Sequence, residues 1–250
     1  MSRGIIDIKF DNELVSLFIH KPYNFKKETV SIEERQKQFK EIEKETNNSF
    51  GRIVGTEQTH SNNVIVIDEN NIDEEFSDVD GLITNLNDVS LITYVADCQG
   101  ILLYDTNKKV IGNIHSGWKG TLTRISTNAI NLMISKFNSN VEDIKVYISP
   151  SIHKCCFEVD EDLKNQFENE FKDIDLEDIF IKGEIKEEKQ KYFIDTVEIN
   201  KRVLINLGIK KENIESSELC SMCNSEIIHS YRKDKPNDGR NILLIKKTIN

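Results

Sequence analysis

Chemistry is most concentrated where Ala96-Asp97-Cys98 leads, across two short apolar runs, to His115-Ser116-Gly117-Trp118-Lys119-Gly120. A thiol and an imidazole serve equally as metal ligands and as partners in nucleophilic catalysis. The apolar runs 101–104 and 110–114 flank Asp105-Thr106-Asn107-Lys108, where Asp and Asn favour a turn, so the segment predicts a β-hairpin. With Tyr104 facing Lys109, Cys98 faces His115, and directly opposed residues hold their β-carbons roughly 5 Å apart on one face. A third ligand is available in Thr56-Glu57-Gln58-Thr59-His60-Ser61, just before the apolar run that starts at Val64. His60, Cys98 and His115 match a catalytic zinc site with three protein ligands and a fourth position open to water or substrate. The residues alone leave two alternatives open. One is a buried Cys98 with two hydrogen-bonded histidines; the other is a metal-free pair, Cys98 as nucleophile and His115 as base.

Groups able to hold an anion surround this trio. A helix predicted after His115 would offer free N–H groups near residues 117–121, and Lys119 would add charge there. Ser230-Tyr231-Arg232-Lys233-Asp234 and Asp238-Gly239-Arg240 contribute two arginines suited to bidentate oxyanion contacts, although an Arg-Lys pair alone reads equally as solvated surface. Asp97, beside Cys98, is placed to orient a ligand or accept a proton. Cys220 and Cys223 have the spacing of half a zinc ribbon or of a redox pair. Adjacent Cys155-Cys156 is poorly spaced to complete such a site, so these four are read as ordinary structural thiols.

The elements that must position these groups are mixed. Ser31 with Glu34 three residues later forms a capping-box signature ahead of Ile32, Phe39 and Ile42 at helical spacing. Runs 64–68, 82–84 and 91–97 read as strands, and Ile144, Val146 and Ile148 alternate as another. Trp118, Leu122, Ile125, Ala129 and Leu132 step by four and three, which predicts one long amphipathic helix. Leu163, Phe167 and Phe171 predict a helix after Asp160; Asp195 and Glu198 start one that stops at Gly208. The charged stretch 182–191 suggests an exposed loop or hairpin, and 242–245 a closing strand. Helices and strands interleave without regular βαβ spacing, which predicts mixed sheets in a layered α/β or α+β fold. No repeat, linker or low-complexity tract divides the chain, so residues 1–250 read as a single domain.

Composition narrows the function classes. Lys and Arg total 33 against 43 Asp and Glu, a formal net charge of −10. That balance argues against a nucleic-acid surface, which needs clustered positive charge, while leaving room for a small anionic substrate in a locally basic pocket. Residues 1–10 mix charged and apolar types unlike a signal peptide, and no apolar run approaches a bilayer span. The expected setting is the cytoplasm, away from membranes, where the five cysteines stay reduced.

Six segments, taken in order, resemble the laccase-domain or polyphenol-oxidase-like family, the YfiH-like proteins. They are Glu57-Gln58-Thr59-His60; Asp78-Val79-Asp80-Gly81-Leu82-Ile83-Thr84; Ala96-Asp97-Cys98; His115-Ser116-Gly117-Trp118-Lys119-Gly120; Ser149-Pro150-Ser151-Ile152 with Cys156-Phe157-Glu158-Val159; and Ser230-Tyr231-Arg232-Lys233-Asp234 before Gly239-Arg240. The match covers roughly residues 50 to 245, the scale of one domain. The chain departs from the family pattern at Gly100 (usually proline), Lys119 (usually arginine) and Ser149 (usually glycine). The family's glycine- and asparagine-containing N-terminal segment is not clear around Lys21-Pro22-Tyr23-Asn24. The resemblance implies an α+β fold in α/β/β/α layers, with zinc on His60, Cys98 and His115. It also implies phosphorolysis of purine nucleosides with phosphate, and adenosine deaminase activity in some members. The old laccase label implies copper and phenol oxidation, for which five histidines are few. Editing of a cell-wall precursor is suggested for some relatives, and a noncatalytic nucleotide-binding module is the remaining class.

Overall fold

Alternating apolar side chains divide the central strands between different interiors. Along β14 (Asn241–Lys247), Leu243 and Ile245 enter one cluster while Ile242 and Leu244 enter another. Along β7 (Gln99–Asp105), Leu102 and Tyr104 join the first cluster, while Ile101 and Leu103 join a third. Such strands are covered on both faces. The computed structural model describes residues 4–248, so residues 1–3 of the N-terminal stretch considered above lie outside it.

A five-stranded sheet runs in the order β1 (Ile5–Asp7), β2 (Leu14–Ile19), β14, β6 (Val89–Val95), β3 (Arg52–Val54). A six-stranded sheet runs β13 (Ile214–Ser216), β9 (Ile144–Ile148), β7, β8 (Val110–Ser116), β5 (Gly81–Thr84), β4 (Val64–Val66). Both are mixed: β3–β6, β4–β5 and β9–β13 are parallel among antiparallel neighbours. The two sheets share a core that includes Phe18, Leu91, Leu102, Tyr104 and Leu243. Outside the first sheet, Ile42 of α1 (Ile32–Thr46) packs with Phe25, Phe50 and Leu244. Outside the second, α3 (Ile125–Phe137) and α5 (Thr196–Asn206) contribute Ile130, Met133 and Leu204. The result is the layered α/β/β/α arrangement of the α+β class. A small sheet of β10 (Glu158–Asp160), β12 (Lys189–Ile194) and β11 (Phe180–Lys186) carries α4 (Glu161–Glu170) and its own cluster around Phe167 and Phe171. No helix among the described residues is long and apolar enough to cross a membrane.

Local chemistry explains the boundaries. The Ser31 hydroxyl accepts from Glu34 N at 3.2 Å to cap α1, and Asp195 accepts from Glu198 N at 3.0 Å to cap α5. The charged stretch 182–191 forms the hairpin of β11 and β12. Two features differ from the sequence pattern. The long helix expected from Trp118 is broken into α2 (Trp118–Leu122) and α3, because Arg124 adopts the left-handed region at φ 59° and turns its guanidinium onto Glu170 and Asp173. The β7–β8 hairpin is also in another register: Asp105 faces Val110, and Gly100 faces His115. Its turn is moved along because Asp105 Oδ1 accepts from the N–H groups of Asn107 and Lys108 while Lys109 takes φ 56°.

Candidate metal centre

Cys98 immediately precedes β7, and His115 is the penultimate residue of β8. Since Gln99 pairs with Ser116, Cys98 falls opposite Gly117 and stands diagonally across the ladder from His115. Diagonal neighbours are within reach of a long side chain such as imidazole. Gly117 is what leaves room for this: a β-carbon there would lie 2.7 Å from His60 Cδ2 and 3.0 Å from Cys98 Sγ. His60 comes from the loop after β3 and has φ 64°, an uncommon conformation that needs support.

Asp80 supplies that support. Its carboxylate, fully buried just before β5, accepts from the backbone N–H groups of Thr59 and His60 at 3.1 Å each. It also accepts from Ser61 N and Ser61 Oγ at 2.8 Å each. The same carboxylate lies 2.7 Å from His115 Nδ1. One buried anion therefore fixes the loop bearing one histidine and the ring orientation of the other, leaving Nε2 of His115 for a ligand. Burial alone would raise the Asp80 pKa, but its bonds to His115 and Ser61 outweigh it and hold it down at about 2.

The ligand atoms of His60, Cys98 and His115 lie within 4.8 Å of one another. Cys98 Sγ is 3.7 Å from His60 Nε2, and the two imidazole rings meet edge to face with centroids 4.9 Å apart. Sulfur and nitrogen ligands on a tetrahedral zinc ion are separated by about 3.6 Å, given ordinary bond lengths. The donor set and its spacing fit a metal ion. Burial opposes ionisation of Cys98, yet His115 and His60 overcome it and bring the thiol to about 6. Burial likewise opposes the charge on His115, and Cys98 with Asp80 raise it to about 9.

The trio lines a cavity of about 530 Å³, walled by Phe25, Tyr94 and Tyr231 and by the cations Lys27 and Arg240. A second space of about 210 Å³ shares His60 and Cys98 and extends towards Trp118, Phe157 and Arg232. Another open depression, about 480 Å³ beside Asn62, Asp78 and Leu132, includes none of the three ligands.

The other site residues expected from sequence divide. Arg240 lines the larger cavity, with one guanidinium nitrogen 2.5 Å from Asp238 Oδ2. Arg232 lines the smaller one, but its guanidinium donates to the backbone oxygens of Cys156 and Glu158 at 3.4 and 2.9 Å. Lys119 lines neither; it is exposed, with its ammonium 5.6 Å from the Trp118 ring centre. A helix does begin there, as expected, but α2 runs for only five residues. Asp97 does not orient a ligand: its oxygens accept from Ser221 Oγ and Arg232 N, at 2.6 Å each. That orienting role sits instead on Asp80, which the sequence motifs contained without marking. Lys27, Glu28, Phe25 and Tyr94 were also unmarked. The signal for the first three was the unassigned segment around Asn24, whose Oδ1 accepts from Arg240 N at 3.0 Å and so docks that segment on the cavity.

The chain is similar to known proteins in sequence and in fold. The family model described as multi-copper polyphenol oxidoreductase laccase matches residues 24–248, reaching further towards the N-terminus than the motifs do. A purine nucleoside phosphorylase of Borreliella burgdorferi is 29% identical over 91% of this chain and 90% of its own length. An adenosine deaminase from an unknown prokaryotic organism is 32% identical over 75% of this chain and 72% of its own. The crystal structure of the Bacillus licheniformis hypothetical protein YfiH superposes with a TM-score of 0.87 at 23% identity, over 99% of this chain and 97% of that one.

Proposed function

The chain belongs to the multi-copper polyphenol oxidoreductase laccase family, and on that premise we propose that it is a zinc-dependent purine nucleoside phosphorylase in which His60, Cys98 and His115 are the metal ligands. The observation that carries this reading is the convergence of those ligand atoms within 4.8 Å on a cavity of small-molecule size, with Asp80 behind His115. Similarity to named phosphorylases and to a deaminase supports the substrate class, a purine nucleoside. A zinc ion held by these three residues would supply a Lewis acid at the cavity.

The remaining roles belong to the cavity walls. Phosphorolysis joins a phosphate oxygen to C1′ as the bond from C1′ to the purine nitrogen breaks, giving ribose 1-phosphate and the free base. Lys27 and Arg240 are the cations available to hold phosphate. Phe25, Tyr94 and Tyr231 offer aromatic surface to the base. Glu28 and Glu57, on the same wall, are the carboxylates that carry protons. Asp80 keeps His115 in one tautomer, and Asp97 braces the loops beneath Cys98.

Incubating purified protein with inosine and phosphate releases hypoxanthine and ribose 1-phosphate, and replacing both Cys98 and His115 by Ala removes that turnover. No turnover in the native protein, or equal turnover in the double variant, sinks the reading. The similar deaminase gives a specific second outcome, ammonia and inosine from adenosine by attack of water at C6. The array Cys98–His115–Asp80 also suits a metal-free thiolate nucleophile. Activity that persists after stoichiometric zinc has been stripped would favour that chemistry.

A further inference from the structure

Cys155, Cys156, Cys220 and Cys223, which the sequence spacing kept apart as ordinary thiols, meet at one place in the fold. Their sulfurs all lie within 4.8 Å of one another. Adjacent cysteines work here because they sit in a tight turn, with Cys156 N and Phe157 N both donating to His153 O at 2.9 Å. Cys220 opens a second turn, closed by Asn224 N donating to Cys220 O at 3.0 Å. The two turns are laid side by side by a bridge between Ser151 and Cys220 and by Ser221 N donating to Ser151 O at 2.9 Å.

The spacing matches a coordination tetrahedron. Cys223 Sγ is 3.7 Å from Cys155 Sγ and 3.4 Å from Cys156 Sγ. Four sulfurs each about 2.3 Å from a central zinc stand about 3.8 Å apart. A disulfide needs about 2.05 Å, and all four cysteines are free. Cys220 is buried, and it packs with Phe157, Ile152 and Met222 in the cluster that supports the small sheet.

We infer that Cys155, Cys156, Cys220 and Cys223 form a second metal site, a closed tetrathiolate that binds Zn²⁺ and has a structural role. Binding replaces thiol protons by the metal and involves no change of oxidation state. The site staples the 153–156 turn to the 220–223 turn. Both turns bear on the first centre: Ser221 Oγ donates to Asp97 at 2.6 Å, and Arg232, which donates its N–H to the same carboxylate, reaches the Cys156 carbonyl. Asp97 adjoins Cys98. A thiolate-bound ion would therefore brace the wall of the smaller space beside the first centre without meeting substrate.

The test is elemental analysis with zinc-edge X-ray absorption, on protein purified under reducing conditions without chelator. Native protein is expected to hold two zinc ions per chain, with an average of roughly 2.5 sulfur ligands per zinc, one site having one sulfur and the other four. A variant carrying His60→Ala, Cys98→Ala and His115→Ala keeps one zinc in an all-sulfur shell. Cys220→Ser with Cys223→Ser keeps one zinc in a mixed nitrogen and sulfur shell. If that double variant fails to fold, the triple variant decides, because it leaves the four thiols intact. A triple variant without metal, with its four remaining cysteines titrating as free thiols, overturns the proposal. So does iron in place of zinc, or a disulfide joining the two turns. Failure here leaves the nucleoside reading standing, since that reading rests on the other centre.

Discussion

Asp80 accepts from three consecutive backbone amides, from the Ser61 hydroxyl and from His115, with 0% of its side chain exposed. An amide in its place would offer one acceptor oxygen and turn an NH₂ group towards the other donors. Asp80→Asn is therefore expected to destabilise the fold by about 3–5 kcal/mol, as loss of a buried ionic partner does. Zinc affinity at His60, Cys98 and His115 should also fall about 10–100-fold, as for a lost carboxylate behind a histidine ligand. A denaturant titration and a chelator competition measure the two effects, and unchanged affinity would refute the role given to Asp80. Because its pKa is depressed to about 2, the stability Asp80 contributes is complete at neutral pH and is lost only as pH falls below the ordinary carboxylate range towards 2. Zinc binding has the opposite competition, with protons on the ligands themselves. The Cys98 thiol, near 6, is already ionised at neutral pH, whereas His115, near 9, must give up a proton to bind. Zinc must displace the proton that Cys98 and Asp80 hold on His115, so affinity should strengthen as pH rises towards the His115 value. Chelator competition at several pH values checks this; a flat profile excludes it. The chemistry of His60, Cys98 and His115 was legible from residue type and motif. Asp80 was not, because nothing local marks an acceptor whose donors lie 19 to 35 positions away.

At the level of elements, alternation and capping announced most strands and helices, since Ser31, Asp195 and the Ile144–Ile148 pattern act through neighbours only. Register was harder. It depended on how Asp105 folds its carboxylate back onto two amides, a choice between adjacent turn positions that composition does not decide. The turn slid by one position and the facing pairs by two, so Cys98 and His115 kept their face of the sheet while ceasing to be direct partners. The helix break at Arg124 is likewise tertiary: the guanidinium finds Glu170 and Asp173 on a remote segment. The hairpin makes Gly117 a steric requirement of the metal centre. Its φ of −73° suits any residue, so a substitution there acts through space and not through backbone strain. Gly117→Ala would push a methyl group to within 2.7 Å of His60 and 3.0 Å of Cys98. The expected outcome is a loss of about 1–3 kcal/mol through overpacking, together with weakened zinc retention. Zinc content after dialysis, compared with the thermal midpoint of the metal-free protein, separates the two effects. Full retention of zinc would show that the ligand pair does not need that space.

Across the whole molecule, the centre depends on how the two sheets are held against each other. Cys98 and His115 come from the six-stranded sheet, whereas Tyr94 on the cavity wall comes from β6 of the five-stranded one. The shared core is mainly apolar and by itself permits sliding, because dispersion and hydrophobic contacts carry little direction. Asn113, fully buried on β8, adds direction. Its amide nitrogen donates to the carbonyls of Leu91 and Leu243, at 2.9 Å each, and its oxygen accepts from Thr93 Oγ1 at 2.8 Å. All three partners lie on β6 and β14 of the opposite sheet. Asn113→Ala removes this tie and leaves the Thr93 hydroxyl and two carbonyl lone pairs facing a dry void. Each group so stranded costs about 1–3 kcal/mol, so a total near 3–5 kcal/mol is expected once the interior relaxes. The urea midpoint should fall in proportion, with an unchanged slope because the surface exposed on unfolding is the same. A fall worth less than about 1 kcal/mol would mean that water or a shifted side chain replaces the tie. If zinc content stays normal while KM for a nucleoside rises, Asn113 sets the spacing between the metal floor and the aromatic wall; if zinc is lost as well, it holds up the floor itself.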